Sequence, residues 1–222
     1  TGLTKSDPVV GDEAATRLFV VTNWPASGWP SQEIFRPVVK AVLLRKGRIL
    51  AGNPPRDRVR KIARQGLDAV SQDAQRRLRL DTPLPADLLD GLLTELEASH
   101  CGLMPKSAFG NMAIAQRLRD GHMARAMVDA AAVGAGPVAP VAGNGHVRLD
   151  LGVPWYLERM LPDAAERPLV SVGHVVVVEG KTQPEDYPAA LAQHSLVVFT
   201  PRAKRKDPCV EMRKRFSRHK KK

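Results

Sequence analysis

The stretch Ala142-Gly143-Asn144-Gly145-His146-Val147-Arg148 holds the residue types closest to chemistry in this chain. Gly143 and Gly145 allow a tight turn and let a ligand approach the main chain. Asn144 tolerates left-handed backbone and carries both a donor and an acceptor. His146 can ligate a metal or move a proton. Arg148 can pair with a carboxylate or a phosphate. The same residues also suit a plain strand-to-helix turn with a surface histidine, and the residues alone leave the two readings level. The loop is neither a P-loop nor a dinucleotide fingerprint, because it lacks the Lys-Ser/Thr pair and the GxGxxG spacing.

Two other groups carry weaker signals. Met112, Gln116, Asp120, Met123 and Met127 form one broad stripe of a long predicted helix, flanked by Arg117 and Arg119. Such a stripe is either ordinary core or a cap over an apolar, partly polar pocket, since methionine adapts to irregular shapes. His100 and Cys101 with Met104 offer donors for iron or copper, but a structural cysteine at a helix end explains them equally well. Cys101 and Cys209 form neither a disulfide framework nor a CxxC zinc pattern, and one bridge or two free thiols are both compatible with their spacing. His122, His174 and His194 have no partner pattern. No serine sits in a GxSxG-type elbow, so a Ser-His-Asp triad cannot be argued.

These residues need a scaffold. Residues 1–16 read as a flexible lead-in, followed by a short apolar run at 18–21 and a Pro/Gly loop at 24–30. A short helix is predicted over 35–44, a buried strand over 47–53, and a helix over 56–70 opened by Pro54-Pro55. Leu88, Leu89, Leu92, Leu93 and Leu96 give residues 85–99 a helical apolar face. A long helix is expected over 107–133, stopped by Gly134-Ala135-Gly136-Pro137. Strands are expected over 138–142, 169–179 and 195–200, with a short helix over 155–161. Alternation of strand and helix predicts an α/β fold, a mostly parallel sheet flanked by helices with a helical subdomain. Ala51-Gly52-Asn53 and Ala142-Gly143-Asn144 both close predicted strands. They are therefore expected along the carboxyl edge of the sheet, where ligands bind.

Composition bounds the rest. Hydrophobic residues make up 43% of the 222 residues and aromatics 5%, which specifies a real but mainly aliphatic core. The net charge of +11 is uneven: eleven Lys/Arg lie in residues 202–222, against only Asp207 and Glu211. This run reads as a solvated, disordered tail, with anionic lipid or nucleic acid as the alternative contacts. The body interleaves no aromatic platform with its cations, so no nucleic-acid partner is expected. No stretch has the length of a membrane span, and no signal peptide is visible.

Several segments in order resemble the ChaN-like family of haem-binding proteins, part of a group related to the Tiki/TraB proteins. They are Trp29-Pro30 with Phe35-Arg36-Pro37, Ala51-Gly52-Asn53, Ser99-His100-Cys101-Gly102 with Pro105, and residues 115–120 with Met123-Ala124. The clearest runs from Ala142 through Gly152-Val153-Pro154 to Tyr156-Leu157, and Phe199-Thr200-Pro201-Arg202 with Asp207-Pro208-Cys209 also fits. The resemblance implies a ChaN-like domain over residues 24–201, with a helical subdomain at 80–133. Residues 1–23 then form a lead-in and first strand, and 202–222 a basic tail. It further implies haem as cofactor, held in a largely apolar pocket between two subunits, without catalysis. The implied site takes in Asn53, Gln116, Met123, Gly143, Asn144, Gly145, His146, Arg148 and Tyr156, with Tyr156 as the expected iron ligand. A homodimer, an outer-membrane haem receptor as partner, and a periplasmic or outer-membrane location follow from the same resemblance.

The family's opening strand ends in a Leu-Gly-Glu-x-His-Asp motif that has no counterpart here, so the chain is expected to hold only part of the family domain. Two rival functions are compatible with the same residues. One is a metal-dependent hydrolase using His146 and a carboxylate. The other is a basic-tailed module that binds anionic membrane or nucleic acid.

Overall fold

The computed structural model describes residues 8–134, 136–163, 166, 168–203 and 207–219. It divides into two compact units, residues 1–51 and 52–222.

The first unit is helical. It contains α1 (Pro8–Val21), α2 (Trp24–Ser27) and α3 (Gln32–Leu44). Ala15 and Phe19, four residues apart on α1, are buried against Val39 of α3. Phe19, Trp24, Trp29 and Phe35 extend that contact as an aromatic cluster with ring centroids 5.0–5.7 Å apart. The lead-in and strand expected over 1–23 are thus corrected for residues 8–21, which are helix; residues 1–7 lie outside the described residues. In the helix Ala15 and Phe19 stand one turn apart on the face that packs against α3. α3 stops where Lys46 turns left-handed (φ 58°) and the Gly47 N–H returns to the Val42 carbonyl at 2.8 Å.

The second unit is built around α7 (Ser107–Val133), on which α4 (Arg56–Gln65), α6 (Ala86–Ser99) and α9 (Val153–Met160) pack. Ile62, Leu118, Ala124, Val153 and Tyr156 are almost fully buried there. Burying the larger aliphatic side chains, Ile62, Leu118 and Val153, stabilises the fold by about 1.5–3 kcal/mol each. Gly121 lets α7 meet the segment after α5 (Gln72–Arg77): a Cβ there would stand 2.6 Å from the Leu78 carbonyl oxygen.

Beyond α7 the chain forms α8 (Asn144–Val147), β1 (Val172–Val176), α10 (Pro188–Gln193), β2 (Leu196–Thr200) and α11 (Pro208–His219). β1 and β2 pair in parallel, Val172 beside Leu196 through Val176 beside Thr200, and α8 and α10 pack on them. The architecture is therefore mixed α/β with a minor parallel sheet, and helices supply most of the body. The strands expected over 47–53 and 138–142 do not form. Pro140 lacks the N–H that a ladder needs, and neither segment has a strand neighbour among the described residues. The tail is also corrected: residues 208–219 are helical. Asp207 accepts a hydrogen bond from the Cys209 N–H at 2.9 Å, and Pro208 occupies the first helical position, a combination that starts helices. Cys101 and Cys209 are joined by a disulfide, with their Cα atoms 5.7 Å apart.

Candidate functional site

One stretch of α7, from Gln116 to Met123, gathers most of the polar groups singled out in the sequence. Asp120 points into the core and is buried. Its carboxylate lies 2.6 Å from His146 Nδ1 at the end of α8. One turn earlier on α7, the Gln116 amide nitrogen stands 3.3 Å from His146 Nε2. When the Nδ1 proton faces the carboxylate, Nε2 carries the lone pair, and the Gln116 amide is its donor. The bond on the carboxylate side is short, and the amide contact is long. An incoming ligand therefore competes with Gln116 and not with Asp120.

Burial pushes the Asp120 carboxyl up to about 6, and the hydrogen bond from His146 opposes that rise. The imidazole itself is partly exposed, at 19% for the side chain. A carboxylate behind one ring nitrogen and an accessible second nitrogen is the arrangement that orients metal-binding and proton-moving histidines.

The Gly52-Asn53 segment reaches the same stretch of α7. Asn53 Oδ1 accepts from Arg119 at 2.9 Å, and a Cβ on Gly52 would contact Met123 Cγ at 3.4 Å. Desolvation and the neighbouring Arg56 push the Arg119 guanidinium down. The first Ala-Gly-Asn echo therefore meets α7 and not a sheet edge, whereas the second leads into α8, whose His146 reaches the same helix. Met123 is buried beside them.

The rest of the loop is scaffold. The Asn144 amide donates to the His174 carbonyl at 2.5 Å, while its oxygen accepts from the His174 N–H at 3.1 Å. This doubles as a strand mimic on β1. Arg148 is closed by two bonds of 2.6 Å to Asp150 and one of 2.5 Å to Glu95, so it locks the turn and offers little to a ligand. Gly143 has φ −67°, and neither Gly143 nor Gly145 is among the residues with positive φ. The tight turn expected of them is absent, and α8 is a one-turn helix. A Cβ on either would meet open space. Gly152 is the glycine the fold cannot replace: its Cβ would stand 2.2 Å from the His146 carbonyl oxygen.

Tyr156 occupies a different environment from the one expected. Its ring is buried, and its phenol oxygen accepts from Arg117 Nε at 3.0 Å. Arg117 also binds the Thr82 carbonyl, while Arg159 stacks on neighbouring Trp155 with its carbon 3.6 Å from the ring centroid. Desolvation pushes the Tyr156 phenol up to about 12. The other tyrosine, Tyr187, ties Val178 to Lys181: its hydroxyl accepts from the Val178 N–H and donates to the Lys181 carbonyl.

The candidate donor set at His100, Cys101 and Met104 is also corrected. Cys101 is in the disulfide and so is not a free ligand, which breaks the set, and His100 Nδ1 bonds the Leu96 carbonyl at 2.7 Å. Groups of three or more His, Cys, Asp or Glu placed to hold a metal ion are absent among the described residues.

Residues 7–157 match the family model described as haem-binding uptake, Tiki superfamily, ChaN. The chain belongs to the ChaN family. The match spans α1 to α9 and so includes α7, the Gly52-Asn53 segment, the α8 loop and Tyr156. No curated protein and no solved structure matches the chain. Gln116, His146, Arg119 and Asn53, which the structure brings together, thus all lie in the ChaN region. The residues the sequence left unweighed are Arg119 as the partner of Asn53 and Asp120 as the partner of His146. The helical spacing of Gln116 and Asp120 was the available signal.

Proposed function

We propose that this ChaN protein binds haem at the surface formed by Gln116, Arg119, His146 and Asn53, in haem or iron uptake and without catalysis. The observation that carries the reading is the His146–Asp120 pair at 2.6 Å, within a region that matches a haem-binding family. The donor chemistry fits the group. Imidazole is a common axial donor to haem iron, and the carboxylate behind Nδ1 holds the ring with Nε2 outward. Arg119 and the Asn53 amide supply polar partners for the porphyrin's carboxylates, and the thioether of Met123 lies beside them. Bound haem would supply an iron centre for the His146 imidazole, and the protein's part is to hold that ring through Asp120.

His146, and not Tyr156, is the better iron-facing residue. A phenol held up to about 12 and already bonded to Arg117 resists becoming a phenolate ligand. We assign Tyr156 to holding Arg117 and α9 in place.

An extracytoplasmic location is part of the same proposal. It is supported by the Cys101–Cys209 disulfide, because such bonds persist in oxidising compartments. Pairing of two chains across the porphyrin also belongs to it. Titrating the protein with haemin tests the reading. A Soret shift that saturates at a fixed haem-to-chain ratio is expected, with sedimentation reporting whether two chains join. Absence of any shift would remove the haem assignment.

A further inference from the structure

The disulfide fixes α11 beside the connection between α6 and α7, because Cys101 lies in that connection. α11 and its flanks carry most of the chain's excess charge: residues 202–222 hold eleven Lys/Arg and two acids. Within α11, Lys214 is 3.7 Å from Glu211 and both are exposed, so the pair neutralises only one cation. Val210 is exposed next to the staple.

The same connection opens on a second cationic feature. A groove of about 550 Å³ is lined by Arg60 and Arg64 of α4 and by Met104, Ser107, Asn111 and Met112. Met104 follows Cys101 by three residues, which span at most roughly 11 Å of extended chain. Arg60 and Arg64 stand one helical turn apart and have no acidic partner among the described residues. The disulfide therefore tethers the first turn of α11 to the same connection that supplies Met104 to the groove, so a strongly basic segment is anchored close to the Arg60–Arg64 pair.

We propose that this region is a docking surface for anionic phospholipid headgroups. α11 and the Arg60–Arg64 pair engage the lipid phosphates, and Met104 and Met112 face the apolar boundary. Two considerations favour lipid over nucleic acid. A disulfide belongs to compartments where nucleic acid is not the abundant polyanion. The groove also pairs its guanidiniums with thioethers, and offers no aromatic ring for a base to stack on. Juxtamembrane cations each contribute about fivefold to partitioning onto anionic bilayers, and salt screens them.

The test is co-sedimentation of the whole, oxidised chain with vesicles. Vesicles mixing phosphatidylglycerol with phosphatidylcholine should bind it at low salt, and phosphatidylcholine alone should not. Binding should fall as salt rises. R60A/R64A and R213A/K214A should each weaken partitioning about twentyfold, following the loss of two cations. Haemin binding by R60A/R64A should stay unchanged, which shows that the variant is folded and separates this surface from the haem site. The proposal is overturned by equal binding to neutral vesicles, by no binding at all, or by R60A/R64A partitioning like wild type. Displacement from the vesicles by duplex DNA at equal phosphate would assign the surface to nucleic acid instead.

Discussion

His146 Nδ1 and the buried Asp120 carboxylate are 2.6 Å apart, and this contact joins the α8 turn to the long helix α7. A partly exposed imidazole is thereby oriented by a charge from the core. Its cost is visible in Asp120, which burial holds at about 6. The folded state therefore keeps the Asp120 proton more tightly than the unfolded chain does. That contribution to stability is fully present below the ordinary 3.8 and is lost as pH rises through about 6. Asp120→Asn removes the ionisation. Relative to wild type it should gain stability across this window, on the order of 1–3 kcal/mol at neutral pH. Urea unfolding of both proteins at several pH values checks the slope. Haem affinity of the variant should fall, because an amide orients the imidazole less firmly than a carboxylate.

Tyr156 should behave as a buried phenol. Spectrophotometric titration should show it ionising near 12, well after exposed tyrosine. Tyr156→Phe leaves Arg117 with the Thr82 carbonyl and removes one hydrogen bond, so it should cost about 0.5–1.5 kcal/mol. A normal phenol titration would contradict the burial argument.

Gly152 and Gly145 make a matched pair. Gly152→Ala drives a methyl into the His146 carbonyl and should destabilise by about 1–3 kcal/mol while displacing α8. Gly145→Ala enters open space in a helix and should be neutral or stabilising by up to about 1 kcal/mol. Thermal melts of the two variants, with haemin titrations beside them, should separate strongly.

The staple carries a stability prediction of its own. It closes a separation of 108 residues, and closing a loop of that length stabilises by about 2–5 kcal/mol. Reducing it, or replacing both cysteines by serine, should lower the melting temperature by roughly 5–15 °C. An unchanged melt under reductant would show that α11 is not tied to the body.

Much of the helical body was legible in the sequence. The leucine spacing of 88–96 and the Gly134-Ala135-Gly136-Pro137 stop define α6 and α7 closely, because a helix face repeats over many residues. Residues 18–21, 47–53 and 138–142 misled because a short apolar run does not say whether a strand neighbour exists. Residues 8–21 became helix through Ala15 and Phe19, and 138–142 stayed unpaired around Pro140. The site was half legible. His146 and Gln116 stood out by type, and they do meet. Asp120 was seen only as a polar member of a stripe, since nothing in one dimension says that it turns inward toward a residue 26 positions later. Arg148 and Tyr156 looked available by type, yet Asp150 and Glu95 occupy the first and Arg117 the second. Sequence gives the donors, and only the fold assigns their partners.

The central claim is that His146 is the haem-facing group. Haemin titration of wild type, His146→Ala and Tyr156→Phe, followed at the Soret band, tests it most directly. Wild type and Tyr156→Phe should show the same saturating shift, and His146→Ala should bind at least about tenfold more weakly, a loss of about 1.4 kcal/mol, with an altered band. A full, unaltered shift in His146→Ala, or its loss in Tyr156→Phe alone, would contradict the account.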